Sequence, residues 1–156
     1  MTTNPTRLYI DVDGVVLRRT GRTEYGGRTE FEVAPHAEQF LRWAIGHFTS
    51  SWLTARARDG DIEEVARAFR LAVGVTDDLK ALVRTIPVAR WGVAKVQGIV
   101  LVEDFRWLDD NPDQASLAVL EQHGLRDRLI EISTDQRPDD LVRVRGLLID
   151  RCGAGG

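Results

Sequence analysis

Leu8-Tyr9-Ile10 is a short apolar run that ends abruptly in Asp11-Val12-Asp13-Gly14-Val15, and this junction constrains the fold more than any other stretch of the chain. Leu8 to Val12 reads as a buried strand. Residues two apart on an extended chain point the same way, so Asp11 and Asp13 share one side of the strand end. Gly14 then frees the backbone to turn sharply toward whatever the two carboxylates hold. Like charges this close repel, and a bound Mg²⁺ or a shared proton relieves the repulsion.

The remainder of the chain alternates strand-like and helix-like segments. Val15 to Val33 reads as an irregular hairpin broken by Gly21, Gly26 and Gly27. Pro35 opens a helix that Phe40, Leu41, Ala44 and Ile45 carry to about Ile45. Phe48 to Leu53 is a second strand, and Asp61 to Leu71 a helix with its acids in the first turn, as the helix dipole favours. Val73 to Trp91 has no clear period, and Lys80 falls there in a polar, solvated stretch. Trp91 to Val102 is expected to hold a helix interrupted or capped near Gly98, and Phe105 to Leu108 a short strand. A helix from Asp113 to His123 ends at Gly124, Leu129 to Ile132 forms a last strand, and Pro138 to Ile149 a closing helix. This order implies an α/β fold with a three-layer α/β/α, Rossmann-like arrangement around a mainly parallel sheet.

The 156 residues suffice for one domain, expected over residues 7–150, between an N-terminal tail (1–6) and a Gly-rich C-terminal tail (151–156). The lone Cys152 falls in that second tail and has no partner for a disulfide. With 43% hydrophobic and 29% charged residues, the chain is neither disordered nor membrane-spanning. Met1 to Thr6 has no apolar signal core, so a cytoplasmic location is expected. A net charge of −3 gives no global attraction to nucleic acid, yet Arg18, Arg19, Arg22 and Arg28 cluster beside the first acidic pair. Only Lys80 and Lys95 among the 21 basic residues are lysines, which draws attention to each.

Ligands of an open parallel sheet gather beyond the carboxyl ends of its strands. The first strand leaves Asp11 and Asp13 there, the second leaves Thr54, and the strand before Asn111-Pro112 leaves Asp109-Asp110. Lys95 lies between the last two, near the start of a helix. Thr49, Ser50 and Ser51 also carry hydroxyls but lack the preceding apolar run. Glu103 and Asp104 precede their strand and belong at its opposite end, and His36, His47 and His123 lack the mutual spacing of a metal site or triad. Carboxylates, a hydroxyl, a cation and acidic metal ligands suit phosphoryl transfer, in which negative charge spreads over the transferring oxygens.

The order Asp-x-Asp-Gly-Val, strand-end Thr, Lys, then Asp-Asp resembles the haloacid dehalogenase superfamily of phosphohydrolases and phosphotransferases over roughly residues 7 to 150. The spelling Trp52-Leu53-Thr54, Trp91 ahead of the Lys, Trp107-Leu108-Asp109-Asp110-Asn111 and the late Leu-Ile-Glu-Ile strand is most similar to small bacterial members grouped with RNA-repair proteins. The resemblance implies that Asp11 is the nucleophile that forms an aspartyl-phosphate. It implies that Asp13 protonates the leaving oxygen, activates water and lends its backbone carbonyl to Mg²⁺. Thr54 and Lys95 then bind the phosphoryl group, with Gly14 and Ala55 beside it. Asp109 ligates the metal together with Asp11, and Asp110 is a further ligand or an anchor behind it.

Superfamily members usually carry an inserted cap domain, but Val15 to Ala34 has room for a hairpin only and Ala55 to Ala94 for a helix and connections. An open site follows, and with it a phosphate on a bulky carrier such as a nucleic-acid end, which Arg18, Arg19, Arg22 and Arg28 would recruit. A small-molecule phosphatase acting on nucleotides or sugar phosphates, and a noncatalytic binding module, remain alternatives. The oligomeric state stays open.

Overall fold

The computed structural model describes residues 5–153. Four strands, β1 (Arg7–Ile10), β4 (Thr49–Trp52), β5 (Phe105–Asp109) and β6 (Leu129–Glu131), form one parallel sheet in the order β4-β1-β5-β6. Beyond β4, Val88 adds a single parallel bridge to Trp52. A separate antiparallel hairpin, β2 (Leu17–Thr23) and β3 (Thr29–Val33), follows the Asp11–Gly14 turn.

Strand alternation divides the core between the two faces of the sheet. On one face, Leu8, Ile10, Trp52, Leu108 and Ile130 pack against α1 (Ala37–His47), α2 (Ile62–Leu71), α3 (Asp77–Arg84) and α5 (Asp140–Cys152). On the other, Tyr9, Leu53, Phe105, Trp107 and Leu129 pack against the segment Ala94–Ile99 and Leu120 of α4 (Gln114–Gln122). The protein is therefore an α/β fold with a parallel sheet flanked by helices, as the alternation implied. Among the described residues no helix is long and apolar enough to cross a membrane.

Three local expectations change. The illegible stretch holds α3, eight residues long, which turns only Leu79 and Val83 fully inward and so leaves too few apolar positions for a period to stand out. Its start is set by Thr76, whose Oγ1 accepts from Leu79 N at 3.1 Å. Lys80 lies on its exposed side, as expected. The helix expected within Trp91 to Val102 is only a 3₁₀ turn at Lys95–Gly98. Here the amides of Lys95 and Val96 are taken by Asp113 and Ser116 side chains rather than by a preceding helical turn, and Gly98 lies where a Cβ would come within 2.9 Å of Leu53 and 3.0 Å of the Arg90 carbonyl. Finally, α5 runs through Cys152, which is half-buried against the main core instead of lying in a tail. The expected tail residues Met1–Asn4 and Ala154–Gly156 lie outside the described residues.

Buried Asp140 ties the loop after β6 to α5. It accepts from Ser133 N at 3.0 Å, Arg137 Nε at 3.1 Å and Arg143 Nε at 2.6 Å. The same loop reaches the β1 turn through Thr134 N, which donates to Gly14 O at 2.8 Å. Burial alone would raise the Asp140 pKa, but the bonds from Arg143, Arg137 and Ser133 outweigh it and hold the carboxyl far below its usual range. Because the folded-state pKa is depressed, this stability is present above the unfolded pKa and is lost as pH falls. Asp140→Asn is expected to lower unfolding free energy at pH 7 by about 1–3 kcal/mol. The gap from wild type, followed by urea unfolding, should narrow below about pH 4.

Candidate active site

Parallel pairing sends the carboxyl ends of the four strands to one edge of the sheet, and the loops leaving that edge enclose a cleft of about 310 Å³. The register Ile10↔Leu108 brings the next residues, Asp11 and Asp109, abreast, and Asp11 N donates to Leu108 O at 3.0 Å. Both side chains are buried, Asp11 at 5% and Asp109 at 0% exposure. Lys95 lies between them, with Nζ 2.7 Å from Asp109 Oδ2 and 3.2 Å from Asp11 Oδ2. The second oxygen of each carboxylate is also held: Val12 N donates to Asp11 Oδ1 at 2.8 Å, and Asn111 N to Asp109 Oδ1 at 2.9 Å.

The loop before Lys95 is wrapped around one side chain. Gln97 Oε1 accepts from the amides of Gly92, Val93 and Ala94 at 3.1, 2.8 and 3.3 Å. Asp113, the N-cap of α4, accepts from Lys95 N at 3.4 Å and from Ser116 N at 2.9 Å, so α4 and the lysine are positioned together.

Asp11, Asp109 and Asp110 each offer a carboxylate oxygen within 4.8 Å of the others. Lys95 pairs with Asp11 and Asp109, and the Arg19 guanidinium 3.8 Å from Asp110 is shared with Asp135, so the ionised carboxylates here outnumber the cations beside them. The titration directions follow. Burial and then Asp109 push the Asp11 pKa well above its ordinary value despite Lys95. Burial and Asp109 also raise Asp110. For Lys95, burial favours the neutral amine, but Asp11 and Asp109 overcome it and the ammonium is held more firmly than in water.

The remaining sequence-selected residues divide into those the cleft gathers and those it does not. Thr54 lines the cleft, and its Oγ1 accepts from Arg56 N at 3.2 Å, leaving its own O–H to donate. Ala55 also lines it. The Asp13 carboxylate lines the cleft but is turned away from the metal-like cluster and onto Arg56, whose Nε lies 2.8 and 3.0 Å from its two oxygens. Gly14 is not a lining residue. Its φ of +76° makes the turn, and a Cβ there would fall 2.1 Å from Asp110 Oδ2, so its bareness makes room for that carboxylate.

The arginine cluster does not act as one surface. Arg18 donates from Nε to Thr134 O at 3.1 Å and pairs with Glu32. Arg19 pairs with Asp135 at 2.5 Å, approaches Asp110 at 3.8 Å and lines the cleft. Of these four, Arg22 and Arg28 form no ion pair among the described residues. As expected, Glu103 and Asp104 lie at the opposite end of the sheet, where they pair with Arg7 and with Arg106 and Arg128. His47 and His123 bond carbonyls of their own helices at 2.8 and 2.9 Å, and His36 precedes α1 with a left-handed φ of 66°.

Sequence reading missed Arg56, Arg58 and Asp113. Arg58 stacks over Trp91 with its guanidinium 4.4 Å from the ring centroid, and Trp91 Nε1 donates to Thr54 O at 3.0 Å. In a chain so rich in arginine, only the position of Arg56 two residues after Thr54 singles it out. Compared with known proteins, the chain matches no protein-family model and no curated protein. Its function is thus argued from the site itself.

Two substitutions test this geometry. Lys95→Met leaves buried carboxylates without their cation and is expected to lower stability at pH 7 by about 3 kcal/mol, with recovery as the pH is lowered and a carboxyl takes up a proton. A wild-type-like urea midpoint would contradict the arrangement. Gly14→Ala sets a Cβ against Asp110 Oδ2 at a positive φ and is expected to lower the unfolding free energy by about 1–3 kcal/mol in urea titration.

Proposed function

We propose that the protein is a Mg²⁺-dependent phosphohydrolase of the haloacid dehalogenase type, acting on phosphate monoesters through an aspartyl-phosphate. The observation that carries this reading is the convergence of Asp11, Asp109 and Asp110 within 4.8 Å around a buried Lys95, at the carboxyl edge of a parallel sheet.

The donor set fits a hard divalent cation. It is all oxygen and it carries excess negative charge, which adds to burial in raising Asp11 and Asp110. Asp11, Asp109 and Asp110 would hold Mg²⁺, with the Asp13 carbonyl as the further ligand that the family resemblance implies. When bound, the ion neutralises charge on the phosphoryl oxygens and keeps Asp11 ionised beside an anionic substrate.

The chain's own groups divide the chemistry. An Asp11 carboxylate oxygen attacks phosphorus, and the bond from phosphorus to the ester oxygen breaks. Asp13 gives its proton to that leaving oxygen. Water then attacks the phosphorus of the aspartyl-phosphate, Asp13 accepts the water's proton, and release of orthophosphate restores Asp11. Lys95 offsets the repulsion between Asp11 and Asp109 and faces the incoming charge, while the Thr54 hydroxyl donates to a phosphoryl oxygen.

The cleft lacks a cap among the described residues: the hairpin follows β1, and α2 and α3 occupy the interval after Thr54. That openness supports a phosphate on a bulky carrier, a nucleic-acid end included. Arg22 and Arg28 are the members of the arginine cluster left to contact it.

Phosphate release should require Mg²⁺ and fall by about a thousandfold or more in Asp11→Asn, assayed on protein shown by circular dichroism to be folded. A panel of small phosphates and of DNA and RNA ends separates the substrate classes. Undiminished release by Asp11→Asn would remove the covalent mechanism, and an inactive wild type across the panel would favour a binding module.

A further inference from the structure

Phe31 of the hairpin carries two guanidinium groups, each of which ends on a carboxylate of the site. Arg56 lies 4.9 Å from the ring centroid and grips both oxygens of Asp13. Arg19 lies 5.4 Å from the same centroid and approaches Asp110 at 3.8 Å. The second contact follows from register, since Arg19 and Phe31 are direct cross-strand partners. The first joins two separate parts of the fold, because Arg56 comes from the 3₁₀ turn that Thr54 caps after β4. Phe31 is itself half-buried against the main core, and its carbonyl accepts from Val73 N at 2.9 Å, so the ring is a fixed platform.

The two arginines differ in their other anchors. Asp135 holds Arg19 at its backbone amide, 2.6 Å, and at its guanidinium, 2.5 Å. For the Arg56 side chain, Asp13 and Phe31 are the partners. Removing the ring therefore leaves Arg19 tethered by Asp135 and Arg56 held by Asp13 alone, so the Arg56–Asp13 pair loses its platform.

We infer that Phe31 is a positioning residue, which acts through Arg56 to aim the Asp13 carboxyl at the leaving oxygen of the substrate. The inference rests on the phosphohydrolase reading above. Arg56 Nε lies within hydrogen-bond distance of both oxygens of Asp13, so the place of the guanidinium sets the direction of the carboxyl. The aromatic face is what matters, because a cation over a ring is held by the ring's quadrupole, and an aliphatic side chain of similar bulk has none. The hairpin thus contributes to protonating the leaving group without touching the substrate.

The experiment compares two esters with Phe31→Leu, Phe31→Tyr, Arg56→Gln and the double variant Phe31→Leu/Arg56→Gln. Glycerol 2-phosphate has a poor leaving group that needs the proton, whereas 2,4-dinitrophenyl phosphate leaves without one. Phe31→Leu and Arg56→Gln are expected to lower kcat on the glycerol ester by about tenfold or more, with KM little changed, and on the dinitrophenyl ester by about threefold or less. Phe31→Tyr should restore the wild-type ratio, and the double variant should be no worse than Arg56→Gln alone, because both changes break one linkage. Equal losses on the two esters, or additive losses in the double variant, would reduce Phe31 to a packing residue and overturn the inference. A wild type inactive on both esters and on DNA and RNA ends would instead overturn the phosphohydrolase reading, and this role with it.

Discussion

The ammonium of Lys95 between two buried carboxylates is the interaction on which the site depends. Parallel pairing of β1 with β5 forces Asp11 and Asp109 side by side in a region nearly without water. Charges in such a place demand partners of opposite sign, and the backbone amides of Val12 and Asn111 supply only part of the answer. Lys95 supplies the rest, delivered by a loop that Gln97, Asp113 and Ser116 hold in shape. Even so, Lys95 does not balance three carboxylates once Asp110 is counted, because the Arg19 guanidinium near Asp110 is already paired with Asp135. The residual charge is the physical reason that a divalent cation suits the cluster.

Around this pair the fold separates tasks by position. The two faces of the sheet are apolar and carry the stability, whereas the carboxyl edge carries the polar groups and little packing. The hairpin joins the two regimes. Its roots, Leu17 and Val33, belong to or lie against the core, and its middle presents Arg19 and Phe31 toward the site. Two of the four arginines that look in sequence like a polyanion patch are spent inside the molecule. Arg18 and Arg19 fasten the hairpin to the loop after β6, and Arg56 fastens it to Asp13.

Legibility tracked how local each determinant is. Asp11, Asp13, Thr54 and Asp109 stand directly after apolar runs, and a strand end is a local property, so their convergence could be read before any coordinates. The short helix α3 could not, since it turns only two side chains fully inward. Nor could the conformation around Lys95. A periodic reading extends a helix through it, but side chains from α4 and from Gln97 take the amides that a helix would use. Gly14 looked like a contact to substrate because it follows the acids, and its actual task, leaving space for Asp110, depends on a residue 96 positions away.

By itself, the sequence determined the α/β order of elements and which acids, hydroxyl and lysine stand at strand ends, because apolar runs and the residues that stop them act over a few positions. Tertiary structure alone decided that two buried carboxylates share one ammonium with a third beside them, and that Asp13 faces an arginine. It also decided that the hairpin's aromatic ring holds that arginine. These are contacts between elements far apart in the chain, set by strand register and by which loop reaches which edge. No periodicity encodes them.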